Sequence, residues 1–337
     1  ILHPSSKKAS YEYKDRFFER FDFELHDVYR ALSHFSKISL ECQQFISDQI
    51  NAKFGRDTTL MYFDVTNLYF EIDEPDDMRK RGKEKNNRTD PIVQMALAMD
   101  ANGIPLYYKL FPGNTHDSKT FIPVFKDVCV RFAPGRVIAV ADMGCTSSNP
   151  KKHNKDTVHG AAAYIKNITF DKKTGEIYEE PGKKLTFDKE KAEEDAKYDG
   201  YYCIITSELE MPDQRVIEIY RGLFDIEDNF RISKSDLEIR PVYVSRKDRI
   251  NAHVLICFIS LVIIRLIEKK TDYKFTPEQI ITCLKNISCS LEQENVYLFD
   301  YRSIISDEIG KTFGIDFTKK RLRLNEIKNI LAASKKK

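Results

Sequence analysis

The chain has 337 residues, 42% hydrophobic and 31% charged, with 54 Lys and Arg against 52 Asp and Glu for a formal net charge of +2. That apolar content can bury one large core or two modest ones, which excludes a chain disordered over long stretches. The near balance of charge excludes a uniformly polybasic nucleic-acid binder, so any such affinity has to come from local patches. Seven cysteines lie scattered without a CxxC pair, and no secretory n-region and h-region open the sequence. A reducing cytoplasm is therefore expected. The most apolar run, Val254 to Ile264, is about half a bilayer span and is followed by Arg265. It reads as a buried helix, with no membrane partner expected.

Residues 11–55 carry helical periodicity through Phe18, Phe21, Leu25, Val28, Leu32 and Phe35 and predict a helical N-terminal segment. From Thr59 the period becomes two: Leu60, Tyr62 and Asp64 share one side, Met61, Phe63 and Val65 the other, and a further strand run, Leu68 to Ile72, follows Thr66-Asn67. A polar loop over 73–91 holds Arg79, Lys80, Arg81, Lys83, Lys85 and Arg88, either a nucleic-acid patch or simply a solvated loop. Ile92 to Met99 and Ile104 to Phe111 are strands joined by Asp100-Ala101-Asn102-Gly103, whose Asn-Gly pair supplies the positive φ values of a hairpin turn. Ser118 to Phe132 reads as a crossover helix, which permits the short apolar run Val137 to Ala141 to be a parallel strand delivering Asp142 at its end.

Gly160 to Ile165 and Tyr201 to Thr206 are further strand candidates, and the polar stretch between them reads as a hairpin insertion plus a solvated helix, Lys189 to Lys197. Pro212 opens the helix expected to carry Glu227. Residues 247–269 and 276–285 read as helices, and the end of the chain is basic. His153 and His159 with Cys145 have no standard zinc spacing and read as turn or surface residues. The organisation expected is a helical segment over 1–56, a core in two parts over 57–166 and 208–270, an insertion over 167–207, and a helical, basic region over 271–337.

Asp64 and Asp142 each end a strand-like run, and Glu227 lies in the segment YRGLFDIEDNFRISK, seven residues after Tyr220 and seven before Lys234. On a continuous α-helix that spacing puts all three side chains on nearly one face. If the two Asp-bearing strands are parallel neighbours, three carboxylates gather at one sheet end. Such hard oxygen donors hold two Mg²⁺ or Mn²⁺ ions, which activate an attacking water or 3′-hydroxyl and stabilise the leaving oxygen of a phosphoryl displacement. Taken singly, each acid is an ordinary turn or helix residue; their order and context make the set informative.

These residues resemble the bacterial insertion-sequence transposases of the DDE type, which carry a Y-(2)-R-(3)-E-(6)-K signature. The resemblance runs through DVTNLYFE, KRGKEKNNR, QMALAMDANGIPLYYKLFPGNTHDSKT, VIAVADMG and YRGLFDIEDNFRISKSDLEIRPVYV, about residues 25–265. It implies an α/β fold: an RNase H-like mixed sheet flanked by helices, with a small β-containing insertion before the Glu-bearing helix and a helical C-terminal region. It implies Asp64, Asp142 and Glu227 as catalytic, metal-binding residues, Mg²⁺ or Mn²⁺ as cofactor, Tyr220 and Lys234 as DNA contacts, and a dimer working on transposon ends and target DNA. The signature arginine falls on Leu223, so Arg221 or Arg231 is the candidate for the missing phosphate contact. Two rivals stay open: a nuclease or resolvase of the same fold that cuts without joining, and a domesticated DNA-binding protein without catalysis.

Overall fold

The computed structural model describes residues 1–72, 74–82, 90–132, 135–142, 165–166, 169–170, 177–178, 186–197 and 204–334. These fall into two compact units, Ile1–Thr146 with Arg221–Lys337, and Ser147–Tyr220.

The first unit opens with α1 (Lys7–Glu12), α2 (Leu25–Lys37) and α3 (Ser39–Phe54). Between α1 and α2 the expected helix is absent. Residues 14–16 form one 3₁₀ turn and 17–24 are irregular, because Phe17, Phe21 and Phe23 pack against one another and Tyr11 rather than along a helix face. Then come β1 (Leu60–Tyr69), β2 (Ile92–Met99), β3 (Pro105–Pro112), α4 (Ser118–Arg131) and β4 (Ile138–Ala141). The strands form one mixed sheet in the order β3-β2-β1-β4, antiparallel except for the parallel pair β1 and β4. The crossover through α4 makes that parallel pairing possible.

β1 is one continuous strand, so Asp64 sits in its middle rather than at its end, and the expected interruption at Thr66-Asn67 does not occur: both residues pair with β2. At the hairpin turn only Gly103 has a positive φ, +73°. Asn102 does not need one, because the Asp100 carboxylate bends the turn by accepting the Asn102 and Ile104 N–H groups at 2.9 and 3.1 Å. Strand alternation sorts the sheet's two faces. Met61 and Phe63 of β1, Ala96 and Ala98 of β2 and Val124 and Val128 of α4 are buried together, with Ala139 and Ala141 of β4 packed on them.

The second unit holds two short antiparallel pairs among its described residues, β5 (Ile165–Lys166) with β8 (Thr186–Phe187) and β6 (Thr169–Phe170) with β7 (Ile177–Tyr178), then α5 (Lys189–Ala196) and α6 (Asp213–Arg221), which runs to its boundary. The β pairs and α5 match the expected hairpin and solvated helix. Residues 204–206 are not a strand, while 201–203 and 160–164 lie outside the described residues, as do Lys83, Lys85, Arg88, Cys145, His153 and His159.

Back in the first unit, α7 (Leu223–Arg231) leads into a π-helical turn, Ile232–Asp236, and then α8 (Lys247–Lys270). By length and composition α8 could cross a membrane. Here it is a core helix: Ala252, Val254, Leu255 and Ile264 are fully buried, and it packs against α2, α3, β3 and the next helix, α9 (Pro277–Asn286). The chain ends in β9 (Ser290–Gln293), β10 (Val296–Leu298), α10 (Ile304–Phe313), β11 (Arg321–Arg323) and α11 (Leu324–Ser334), with β10 central in a small antiparallel sheet. The mixed sheet flanked by helices, with a helical C-terminal region, is consistent with an RNase H-like fold.

Candidate metal centre

The register of the parallel pair decides where the two aspartates lie. Leu60, Met61, Tyr62 and Phe63 of β1 stand opposite Ile138, Ala139, Val140 and Ala141 of β4. The pairing ends there, so Asp64 and Asp142 each directly follow the last paired residues of neighbouring strands about 4.8 Å apart. Phe63 packs towards α4, so alternation along β1 turns Asp64 to the opposite face of the sheet, while Asp142 lies just past the end of β4. Asp64 is half-buried, with its Oδ1 accepting the Val65 N–H at 2.7 Å, and Asp142 is exposed.

The same face carries α7, which packs on β1. Its entry is set by Gly222: a Cβ there would lie 2.2 Å from the Tyr62 hydroxyl oxygen, so only glycine lets the chain pass this close to β1. Ile226, Asn229 and Phe230 are the buried side of the helix, at the three- and four-residue spacing of one face, and this leaves Glu227 exposed. The expected single helix from Tyr220 to Lys234 is therefore replaced by three pieces. α6, which Pro212 precedes, ends at Arg221; α7 begins after Gly222; and Lys234 lies in the π turn, closed by the Leu237 N–H donating to the Ile232 carbonyl at 3.0 Å. Glu227 lies in an α-helix and Lys234 in a π turn, so a uniform seven-residue helical spacing does not describe this segment.

Each candidate DNA contact has its own setting. Tyr220 belongs to the second unit and is 39% exposed. Arg221 is exposed and has no ion pair among the described residues. Arg231 is engaged, its Nε donating to Asp228 at 2.9 Å and its Nη1 lying 3.5 Å from Asp236. Lys234 is half-buried, its ammonium 5.6 Å from the centroid of the Phe230 ring.

Two residues that the sequence did not single out hold α7 in place. Asn229, fully buried, donates its amide to the Gly103 carbonyl at 3.1 Å and to the Met99 sulfur at 3.3 Å. Its Oδ1 accepts Nε of Arg265 at 2.6 Å, and Arg265 also donates to Asp228 at 2.8 Å and to Glu268 at 2.9 Å. Burial holds the Glu268 carboxyl above its usual range, while Arg265 pulls it down. A lone cation beside an apolar helical run, and a lone amide on the apolar side of the preceding helix, were the available signals.

Residues 59–263, more than half of the chain, match the family model of the transposase DDE domain. The chain belongs to that family. No protein of curated function matches it. DDE transposases act on DNA and typically use divalent metal ions. In this transposase the candidate donors suit such an ion in kind, since all are carboxylate oxygens. They are not gathered into a cage: among the described residues no three His, Cys, Asp or Glu side chains stand close enough together to hold a metal.

Proposed function

We propose that this chain is a catalytically competent DNA transposase that nicks at the ends of its own element and joins the freed 3′-hydroxyl to target DNA. In the first step water attacks the phosphorus at the element end, forming one P–O bond and breaking the bond to the 3′ oxygen, which leaves as a hydroxyl. In the second, that hydroxyl attacks a target phosphodiester and displaces its 3′ oxygen. The number of phosphodiester bonds is conserved in the joining step, so no nucleotide triphosphate is needed; no glycine-rich phosphate loop occurs in the sequence.

Asp64, Asp142 and Glu227 are the assigned catalytic and metal-binding residues. Bound Mg²⁺ or Mn²⁺ would lower the pKa of the attacking hydroxyl and neutralise charge on the leaving oxygen. Lys234 and Arg221 neutralise phosphates beside the cut, and Tyr220 stacks on a base or hydrogen-bonds a phosphate at the element end. Arg231, already engaged by Asp228 and Asp236, is the weaker candidate for the phosphate contact that Leu223 cannot make. Paired ends call for two copies of the chain on DNA, acting in the cytoplasm.

The observation that supports this reading is the parallel register of β1 and β4, which pairs Phe63 with Ala141, the residues just before Asp64 and Asp142, in a chain of the DDE family. It is tested with oligonucleotides of the flanking element ends in Mg²⁺ or Mn²⁺, comparing the wild type with Glu227→Gln and Asp142→Ala. Metal-dependent joined products that vanish in both variants are expected. Cleavage without joining would instead make the protein a nuclease, and binding without chemistry in any of the three would make it a DNA-binding protein only.

A further inference from the structure

Resting on the assignment of Glu227 as a metal ligand, we propose that Arg265 of α8, acting through Asp228 and Asn229, is the positioning residue that sets where Glu227 stands. A nine-residue helix is marginal by itself, and α7 has no side-chain N-cap; its start is pinned at Gly222 and its end loosens into a π turn. Its location therefore depends on what grips its middle. The grip falls on the two residues directly after Glu227. Asp228 and Asn229 are both bound by one guanidinium whose side chain is only 12% exposed, and Asn229 in turn bonds the carbonyl of Gly103 in the β2–β3 turn. All three guanidinium nitrogens have partners, the third being Glu268 on the same helix as Arg265. One planar fork thus joins α7 to the core helix α8, and Asn229 joins it to the sheet. Lysine, a point charge with no fork, cannot hold three partners in this geometry. Arg265 also counters the charge of Asp228 and Glu268, so losing it would leave two acids facing each other beside the metal ligand.

The test compares Arg265→Lys with Ile264→Val, a buried neighbour on α8 whose truncation loosens the core without touching the network. Three quantities are read: thermal unfolding, Mn²⁺ affinity by isothermal titration in the presence of element-end DNA, and the Mn²⁺ concentration giving half-maximal cleavage. Arg265→Lys is expected to weaken Mn²⁺ binding and raise the half-maximal concentration about tenfold, the size typical of groups that orient metal ligands, with the KM for DNA changed less than twofold. Ile264→Val is expected to lower the unfolding temperature and leave both metal readings unchanged. If the two variants lose stability alike and neither moves the metal readings, Arg265 is a core residue only and the proposal fails. Should Arg265→Lys not fold, Asp228→Ala takes its place, since it removes one of the two acceptors on α7 through which Arg265 acts; the same shift is expected, and an unchanged Mn²⁺ requirement overturns the proposal. In parallel, wild-type Mn²⁺ binding that Glu227→Gln does not weaken would show that the ligand assignment, rather than the positioning role, is at fault.

Discussion

At residue scale the tightest constraint is steric. A methyl group at Gly222 would stand 2.2 Å from Oη, 2.4 Å from Cζ and 2.6 Å from Cε1 of Tyr62, a ring buried in β1 and unable to swing far. Gly222→Ala should cost about 2 kcal/mol through overpacking, read as a lower denaturant midpoint at unchanged slope; an unaltered midpoint would mean that the ring moves aside freely. A second constraint is ionic. The Nε2–H of His253 donates to the Ile239 carbonyl at 2.9 Å, and its Nδ1 accepts from the Lys7 ammonium at 3.3 Å, so the imidazole is held neutral in one tautomer. Burial, reinforced by Lys7, pushes its pKa down to about 4 from 6.5. The folded state therefore binds fewer protons than the unfolded state between those values. Stability is full above about pH 6.5 and is lost as pH falls towards 4, by up to about 3 kcal/mol. Melting temperatures across pH 7 to 4 should fall in the wild type and stay flatter in His253→Gln.

At the scale of elements, the β2–β3 hairpin is tied to the segment after α3 by a buried ion pair, Arg56 Nε to Asp100 Oδ2 at 2.8 Å, with side-chain exposures of 2% and 1%. Arg56 also donates to the Ile104 and Pro105 carbonyls at 3.3 and 2.6 Å. Arg56→Met strands the Asp100 carboxylate and should cost roughly 3–5 kcal/mol, part of which Arg56→Met with Asp100→Asn should recover in equilibrium unfolding. This tie also explains what could be read in advance. The hairpin was legible because Asn102-Gly103 sits between two apolar, strand-like runs, yet the turn is bent by Asp100, whose long-range partner no local pattern announces. The strands carrying Asp64 and Asp142 were legible from alternation and from the crossover length of α4. The close approach at Gly222 was not, because the ring it meets belongs to Tyr62 on a strand 160 residues earlier, and spacing arithmetic says nothing of distant rings. The same holds for Asn229 and Arg265: an amide and a guanidinium in apolar helices look anomalous one by one and make sense only when three elements meet.

At the scale of the whole molecule, the net charge of +2 means that overall charge contributes little attraction to DNA, so binding has to draw on particular cations placed against particular phosphates. For duplex DNA each phosphate neutralised contributes about −0.9 to the slope of log K against log salt, which turns the assignment of contacts into a count. Lys234→Ala, which removes the ammonium above the Phe230 ring, should make that slope shallower by about 1 and weaken binding alike on element-end and unrelated sequences. Tyr220→Ala should lower affinity for element ends while leaving the slope where it was, because stacking on a base releases no counterion. The two variants are compared by fluorescence anisotropy over a salt series without divalent metal, so that catalysis does not intervene. A slope left intact by Lys234→Ala would remove this lysine from the phosphate contacts and shift attention to Arg221, the exposed arginine at the entry to α7.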